Sequence, residues 1–199
     1  MINESYLNDL IHECNELRKN TAFRALDTET MRVSYMPKKI QGFVGYLHGY
    51  YELSLEQKHK IKESGTLRTN CKNYLKIYRD DEGTIQQIES YVNGRTDVIH
   101  QLFEKGNKTF LFPFTSTGGS YPTYTYVTVY SGDEITEEYL ANRNQIVYMR
   151  YEPDGNDIGF SSVNYVEGGR VPILESRRGI IHPDTLQYNE SEYNRWDKA

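Results

Sequence analysis

Apolar residues recur along this chain with two different periods. Near the start, Leu7, Leu10, Ile11, Cys14 and Leu17 stand three or four positions apart, which predicts an amphipathic helix with one apolar stripe that must dock on something. Asn3 suits its N-cap, Glu4 its first turn, and Lys19-Asn20 closes it. From Asn73 onwards the period shortens to two. Strands are expected at roughly residues 73–79, 84–92, 97–104, 108–115, 123–130, 134–141, 145–152 and 158–166. Between them stand Asp81-Glu82-Gly83, Asn93-Gly94, Lys105-Gly106-Asn107, Gly118-Gly119, Ser131-Gly132-Asp133, Asn142-Arg143-Asn144, Asp154-Gly155-Asn156 and Gly168-Gly169. Glycine, asparagine and aspartate supply the positive φ of tight hairpins, so a hairpin-after-hairpin antiparallel meander is the implied architecture.

The stretch between these regimes is less regular. Met31, Val33 and Tyr35 alternate with polar residues as a short strand would, and Met36-Pro37 ends it. Residues 40–53 carry Phe43, Val44, Leu47, Tyr50 and Tyr51 with Gly42, Gly45 and Gly49, a pattern that fits a buried helix or a strand. Ser54 with Gln57 forms a capping box and Gly65 suits a C′ position, so a second, lysine-rich helix is expected over residues 55–64. The fold class is therefore α+β, an extended antiparallel β-meander with N-terminal helices packed on one face. Its parts are an N-terminal helical segment (1–72), the meander (73–184) and a polar C-terminal tail (185–199). Val171-Pro172-Ile173-Leu174 reads as an edge strand, and Trp196 is the tail's apolar anchor.

Tyrosine marks the strand faces. Because successive strand residues point to opposite sides, Tyr124, Tyr126, Thr128 and Tyr130 share one face while Thr125, Val127 and Val129 share the other. Val147 and Met149 likewise oppose Ile146, Tyr148 and Arg150. A tyrosine ring packs cross-strand and keeps a hydroxyl for a partner, so the expected aromatic face suits protein recognition as well as simple sheet stability. Tyr124, Tyr126, Tyr130, Tyr148 and Arg150, supported by Glu134, Glu137 and Glu138, are the candidate partner-binding residues.

Charge narrows the partner. The 199 residues carry a net charge of -5, which suits a small metabolite or a basic protein. The whole chain makes a poor polyanion binder, so nucleic acid is unlikely unless a local basic patch exists. The two cysteines, Cys14 and Cys71, lack metal or disulfide spacing, the start lacks a basic and apolar leader, and no apolar run reaches membrane-spanning length. A cytoplasmic protein with no metal or cofactor follows as the expectation.

The run Tyr78-Arg79-Asp80-Asp81-Glu82-Gly83-Thr84-Ile85, followed by Ile88-Glu89-Ser90-Tyr91-Val92-Asn93-Gly94-Arg95, resembles the hairpin unit of MORN-like bacterial antitoxin and immunity proteins. The resemblance covers two hairpins. It implies a tyrosine-rich meander that binds and blocks a toxin domain, here a basic one. Self-association through an open sheet edge is left open by the sequence.

Catalytic patterns are sparser. Leu26-Asp27-Thr28-Glu29-Thr30 resembles the first motif of DEDD-type exonucleases, in which an Asp-x-Glu pair holds two metals, so a metal-dependent nuclease using Asp27 and Glu29 is the alternative. The glycine turn and buried strand of that family are missing around it. His182-Pro183-Asp184 and Tyr193 to Asp197 are the loose candidates for its later motif. Thr115-Ser116-Thr117-Gly118-Gly119-Ser120 resembles the Ser-Thr-Ser motif of ADP-ribosyltransferases, yet no properly placed Glu-x-Glu follows. His48, among Tyr46, Tyr50 and Tyr51, could line a pocket, and Arg170, Arg177 and Arg178 form a compact basic group.

Overall fold

The computed structural model describes residues 3–37, 64–119, 124–182 and 187–195. Helix α1 (Glu4–Asn20) is followed by β1 (Arg32–Pro37), β2 (Tyr74–Arg79), β3 (Ile85–Val92), β4 (Arg95–Lys105), β5 (Lys108–Thr115) and β6 (Thr125–Ser131). Then come β7 (Glu134–Ala141), β8 (Gln145–Asp154), β9 (Asp157–Val166), β10 (Ile173–His182) and β11 (Gln187–Arg195). All eleven strands form one sheet in chain order, each antiparallel to the next. The expected meander is present, and β2 to β9 lie within a few residues of the expected strands.

The turns explain the regularity. Asn93 and Gly94 both take positive φ, 52° and 76°, as a two-residue type I′ hairpin demands, because only that twist matches the flanking strands. From β2 onwards the mostly short connections leave little room for crossovers, so neighbours in sequence become neighbours in space.

The fold class needs correction. The architecture is nearly all antiparallel β, with α1 as the one helix among the described residues, and not an α+β fold with several N-terminal helices. Residues 55–63 of the expected second helix, like residues 40–53 and His48, lie outside the described residues. Ser64 forms an antiparallel bridge with Tyr35. The polar tail is also different, since residues 187–195 make a full strand on β10. Hydrogen bonding to a neighbouring backbone holds β11 without any apolar alternation of its own.

Helix α1 forms as its pattern dictates. The Asn3 side chain accepts from the Ser5 N–H at 2.9 Å, and Thr21 closes the other end by donating its N–H to Leu17 O at 2.8 Å. The stripe Leu7, Leu10, Ile11 and Cys14 is buried on Phe110, Phe112, Val127, Tyr139, Ile146 and Val163. Each buried leucine or isoleucine contributes about 1.5–3 kcal/mol. Polar contacts border the stripe: Arg18 donates to Thr125 Oγ1 at 2.9 Å and Ala141 O at 3.0 Å, Asn15 donates to Arg143 O at 2.9 Å, and Lys108 pairs with Glu13 at 2.5 Å.

The opposite face is buried as well. Met36, Leu75, Ile77, Ile88, Leu102, Leu111 and Tyr126 form one cluster there, and Met149, Tyr151, Phe160 and Ile181 form another. Both faces of the central strands are therefore core.

Candidate functional site

In a meander, successive turns fall at alternate ends of the sheet. The β2–β3, β4–β5, β6–β7 and β8–β9 turns share one end, and their flanks place Asp81, Glu82, Glu104, Asp133, Glu134, Glu152 and Asp154 there, all exposed. The other end carries the β3–β4, β7–β8 and β9–β10 turns, with Arg95, Arg143 and Arg170 exposed. Helix α1 runs in the same sense, since Tyr6 near its start bonds Glu137 and Asn15 near its finish reaches Arg143 O. The first end is acidic on balance, although Arg32 and Lys105 are also exposed there, and the second is basic on balance, although Asp97 is exposed near Arg95.

A cleft of about 500 Å³ opens at the acidic end, between the β2–β3, β4–β5 and β6–β7 turns. Ile85 and Leu102, members or neighbours of the opposite-face core, line it together with Arg79, Glu104, Thr109 and Tyr130. Arg79 donates to Gly83 O at 3.0 Å, which turns one side of its guanidinium toward the β2–β3 backbone. Lys108, also at the rim, has its ammonium paired with Glu13. Burial pushes the Tyr130 phenol above its usual range, a hydrogen bond with Thr109 pulls it back, and the charges of Glu138 and Glu104 push it up again. Tyr130 therefore stays a neutral phenol able to donate or accept.

The expected aromatic face divides between two sides of the sheet. Tyr126 pairs across from Leu140 and Tyr148 from Tyr139, and these pairs belong to opposite faces. Tyr126 and Tyr148 are only 1% and 2% exposed. Because both faces are covered, alternation places Tyr126, Tyr139, Tyr148 and Tyr151 all in core rather than sending half of them to solvent. Tyr126 and Tyr151 each donate their hydroxyl to Glu138, which is wholly buried. Tyr124 meets His100 at 3.0 Å. Glu137 stands opposite Arg150 on the helix side, where it accepts from Tyr6 at 2.6 Å, and Arg150 itself pairs with Glu152 at 3.3 Å. Of the candidates, Tyr130 lines the acidic-end cleft and Glu134 lies in the turn beside it.

Sequence reading missed Arg79, Glu104 and Tyr6. The recurrence of acids at every second turn was the available signal, and it becomes visible only once the turns are numbered by end.

The other motifs have local roles. Asp27 accepts from the Glu29 N–H at 3.2 Å, and Thr30 donates to Asp27 O at 3.1 Å, so this string builds a turn. Among the described residues no group of three or more His, Cys, Asp and Glu could hold a metal ion. Thr115 Oγ1 accepts from the Gly119 N–H at 2.9 Å and shapes its own loop. His182 meets Asp157 at 2.8 Å and Asn189 at 3.0 Å, pinning β9, β10 and β11 together. Arg177 is paired with Glu175 and Glu190, and Arg178 lies 4.0 Å from Glu192, so strand β11 offsets much of that basic group. No described helix is long and apolar enough to cross a membrane.

No known protein family, curated protein or solved structure matches this chain.

Proposed function

We propose that the protein is a binding module of the immunity or antitoxin kind, acting in the cytoplasm, that sequesters a basic protein partner at the acidic end of its sheet. The observation that carries this reading is the coincidence of an open cleft, lined by Tyr130 and floored by Leu102 and Ile85, with a rim of exposed acids on three neighbouring turns. Apolar floor, aromatic wall and charged rim are the ingredients of a protein interface, and the negative rim accelerates encounter with a cationic partner. The hairpins that resemble MORN-like antitoxins supply the β2–β3 part of this rim, at Asp81 and Glu82.

The test is affinity capture from the native source at low salt, followed by titration of the captured basic protein against the charge-reversal variant Asp81→Lys/Glu82→Lys/Glu134→Lys. Loss of affinity by about 10-fold or more, mostly in the association rate, is the expected result. Undiminished affinity would exclude this end as the interface. A Tyr130→Ala arm reports on the cleft wall, where an interface anchor costs about 2 kcal/mol or more.

A further inference from the structure

The opposite corner of the sheet combines aromatic and basic groups in a way that the overall charge conceals. On the helix-side face of β1 to β3, beyond the strands that α1 covers, Tyr74 and Tyr91 stand directly opposite each other and stack, with centroids 4.4 Å apart and planes within 9°. Tyr35 on β1 meets Tyr74 edge-on at 6.1 Å. All three are half-buried rather than core. Glu89 fixes the pair by accepting from Tyr91 Oη at 2.8 Å. The residue opposite Tyr91 on β4 is Thr96, whose side chain hydrogen-bonds the Tyr91 hydroxyl and is too small to cover the outer face of the ring.

Basic residues lie on the turns and strands next to this platform. Arg95 begins β4 at the turn beside Tyr91, and Lys72 is tied to the same turn because its carbonyl accepts from the Gly94 N–H at 2.8 Å. Arg68 sits one turn earlier, where its carbonyl accepts from the Cys71 N–H at 3.1 Å. Lys76 rises from the platform itself, its ammonium 4.6 Å from the Tyr78 ring centre. Arg68, Lys72 and Arg95 are exposed. The acids of the corner are Glu89, engaged with Tyr91 and Gln87, and Asp97 on β4. The balance is locally positive although the chain is acidic.

We propose that this corner is a binding site for single-stranded nucleic acid, in which a base extends the Tyr74–Tyr91 stack over Thr96 while Arg68, Lys72 and Arg95 follow the phosphates. Stacked rings set in a cationic sheet surface accept any base, because every base offers a π-face, and a single strand can splay its bases where a duplex cannot. The site is remote from the acidic end, so its occupation is independent of the protein-binding reading.

The experiment is fluorescence anisotropy with labelled thymidine and uridine dodecamers at low salt, then across a salt series. Saturable binding is expected, falling steeply with salt. Tyr91→Ala should weaken it by about 10-fold, because one base–aromatic stack is lost, whereas Tyr91→Phe retains the ring and most of the affinity. Arg95→Glu, at an exposed turn position, should weaken binding and flatten the salt dependence. The acidic-end reversal at Asp81, Glu82 and Glu134 should leave dodecamer binding no weaker than the parent's, which separates this proposal from the preceding one. Absence of binding at low salt, equal affinity for the Tyr91→Ala variant, or tighter binding of a duplex of the same length would each overturn the proposal.

Discussion

Adjacent residues on the two faces of the sheet, Glu138 and Tyr139, show two ways of burying a polar group. On the face opposite the helix, Tyr126 and Tyr151 share one wholly buried carboxylate, Glu138. Under the helix, Tyr139 is equally buried, yet among the described residues its hydroxyl has no hydrogen-bond partner. Position along the chain does not distinguish these residues, since Glu138 and Tyr139 are adjacent. Their side chains simply leave the strand in opposite directions. The helix face is held by apolar fit and by polar contacts at its margins, and it tolerates an orphan hydroxyl inside. The opposite face is held in part by an internal polar network, in which every member depends on the others.

Three substitutions probe that contrast, measured by denaturant unfolding. The largest effect is expected for Phe112→Ala, which opens a cavity beneath α1 and should cost about 3–5 kcal/mol. A value below 1 kcal/mol would mean that the helix face is not close-packed. Next comes Glu138→Ala, which removes the carboxylate shared by the Tyr126 and Tyr151 hydroxyls and should cost about 1–3 kcal/mol for each bond lost. Glu138→Gln should cost less, because an amide oxygen still accepts. If both variants are neutral, the network contributes nothing. The smallest effect, and the one of opposite sign, belongs to Tyr139→Phe, which removes an unsatisfied group and should raise stability by about 1 kcal/mol.

Tyr139 also carries a pH signature. Burial drives its phenol well above the ordinary value, with the negative potential of Cys14, Glu13, Tyr6 and Glu137 adding to the effect. The unfolded chain loses this proton near pH 10, whereas the folded chain keeps it. Its contribution is therefore complete below about pH 10 and is lost as the pH climbs beyond that value. Tyr6 and Tyr148, on the same face, are raised for the same first reason. Alkaline unfolding should thus begin above about pH 10, and the Tyr139→Phe variant should show a shallower decline. An identical decline in parent and variant would remove Tyr139 from the explanation.

Much of the fold was legible because local chemistry determined it. Asn93-Gly94 and the glycine turns after it could adopt little else than hairpins, and the stripe from Leu7 to Leu17 has helical spacing. Strand β11 was invisible, since Asn189-Glu190-Ser191-Glu192 has no apolar alternation and owes its conformation to β10. Gly179 shows how closely that partner approaches: a Cβ there would lie 2.2 Å from Asn189 O. The candidate site was the least legible part. Alternation correctly separated Tyr126 from Val127, but it could not reveal that both sides are covered. Nor could it show that Glu134 shares an end with Asp81 while Arg143 shares the other with Arg95. Those groupings come from the parity of the turns.

Strand order that follows chain order has a consequence for how the molecule is made. Each strand finds its neighbour immediately behind it, so from β2 onwards pairing can advance as a zipper with mostly short loops to close. Helix α1 is the exception. Its hydrogen bond from Tyr6 to Glu137 spans 131 residues, and its apolar stripe has no floor until β5 to β8 exist. An element that precedes the whole sheet in the chain is therefore sheltered only after more than half of the sheet has formed.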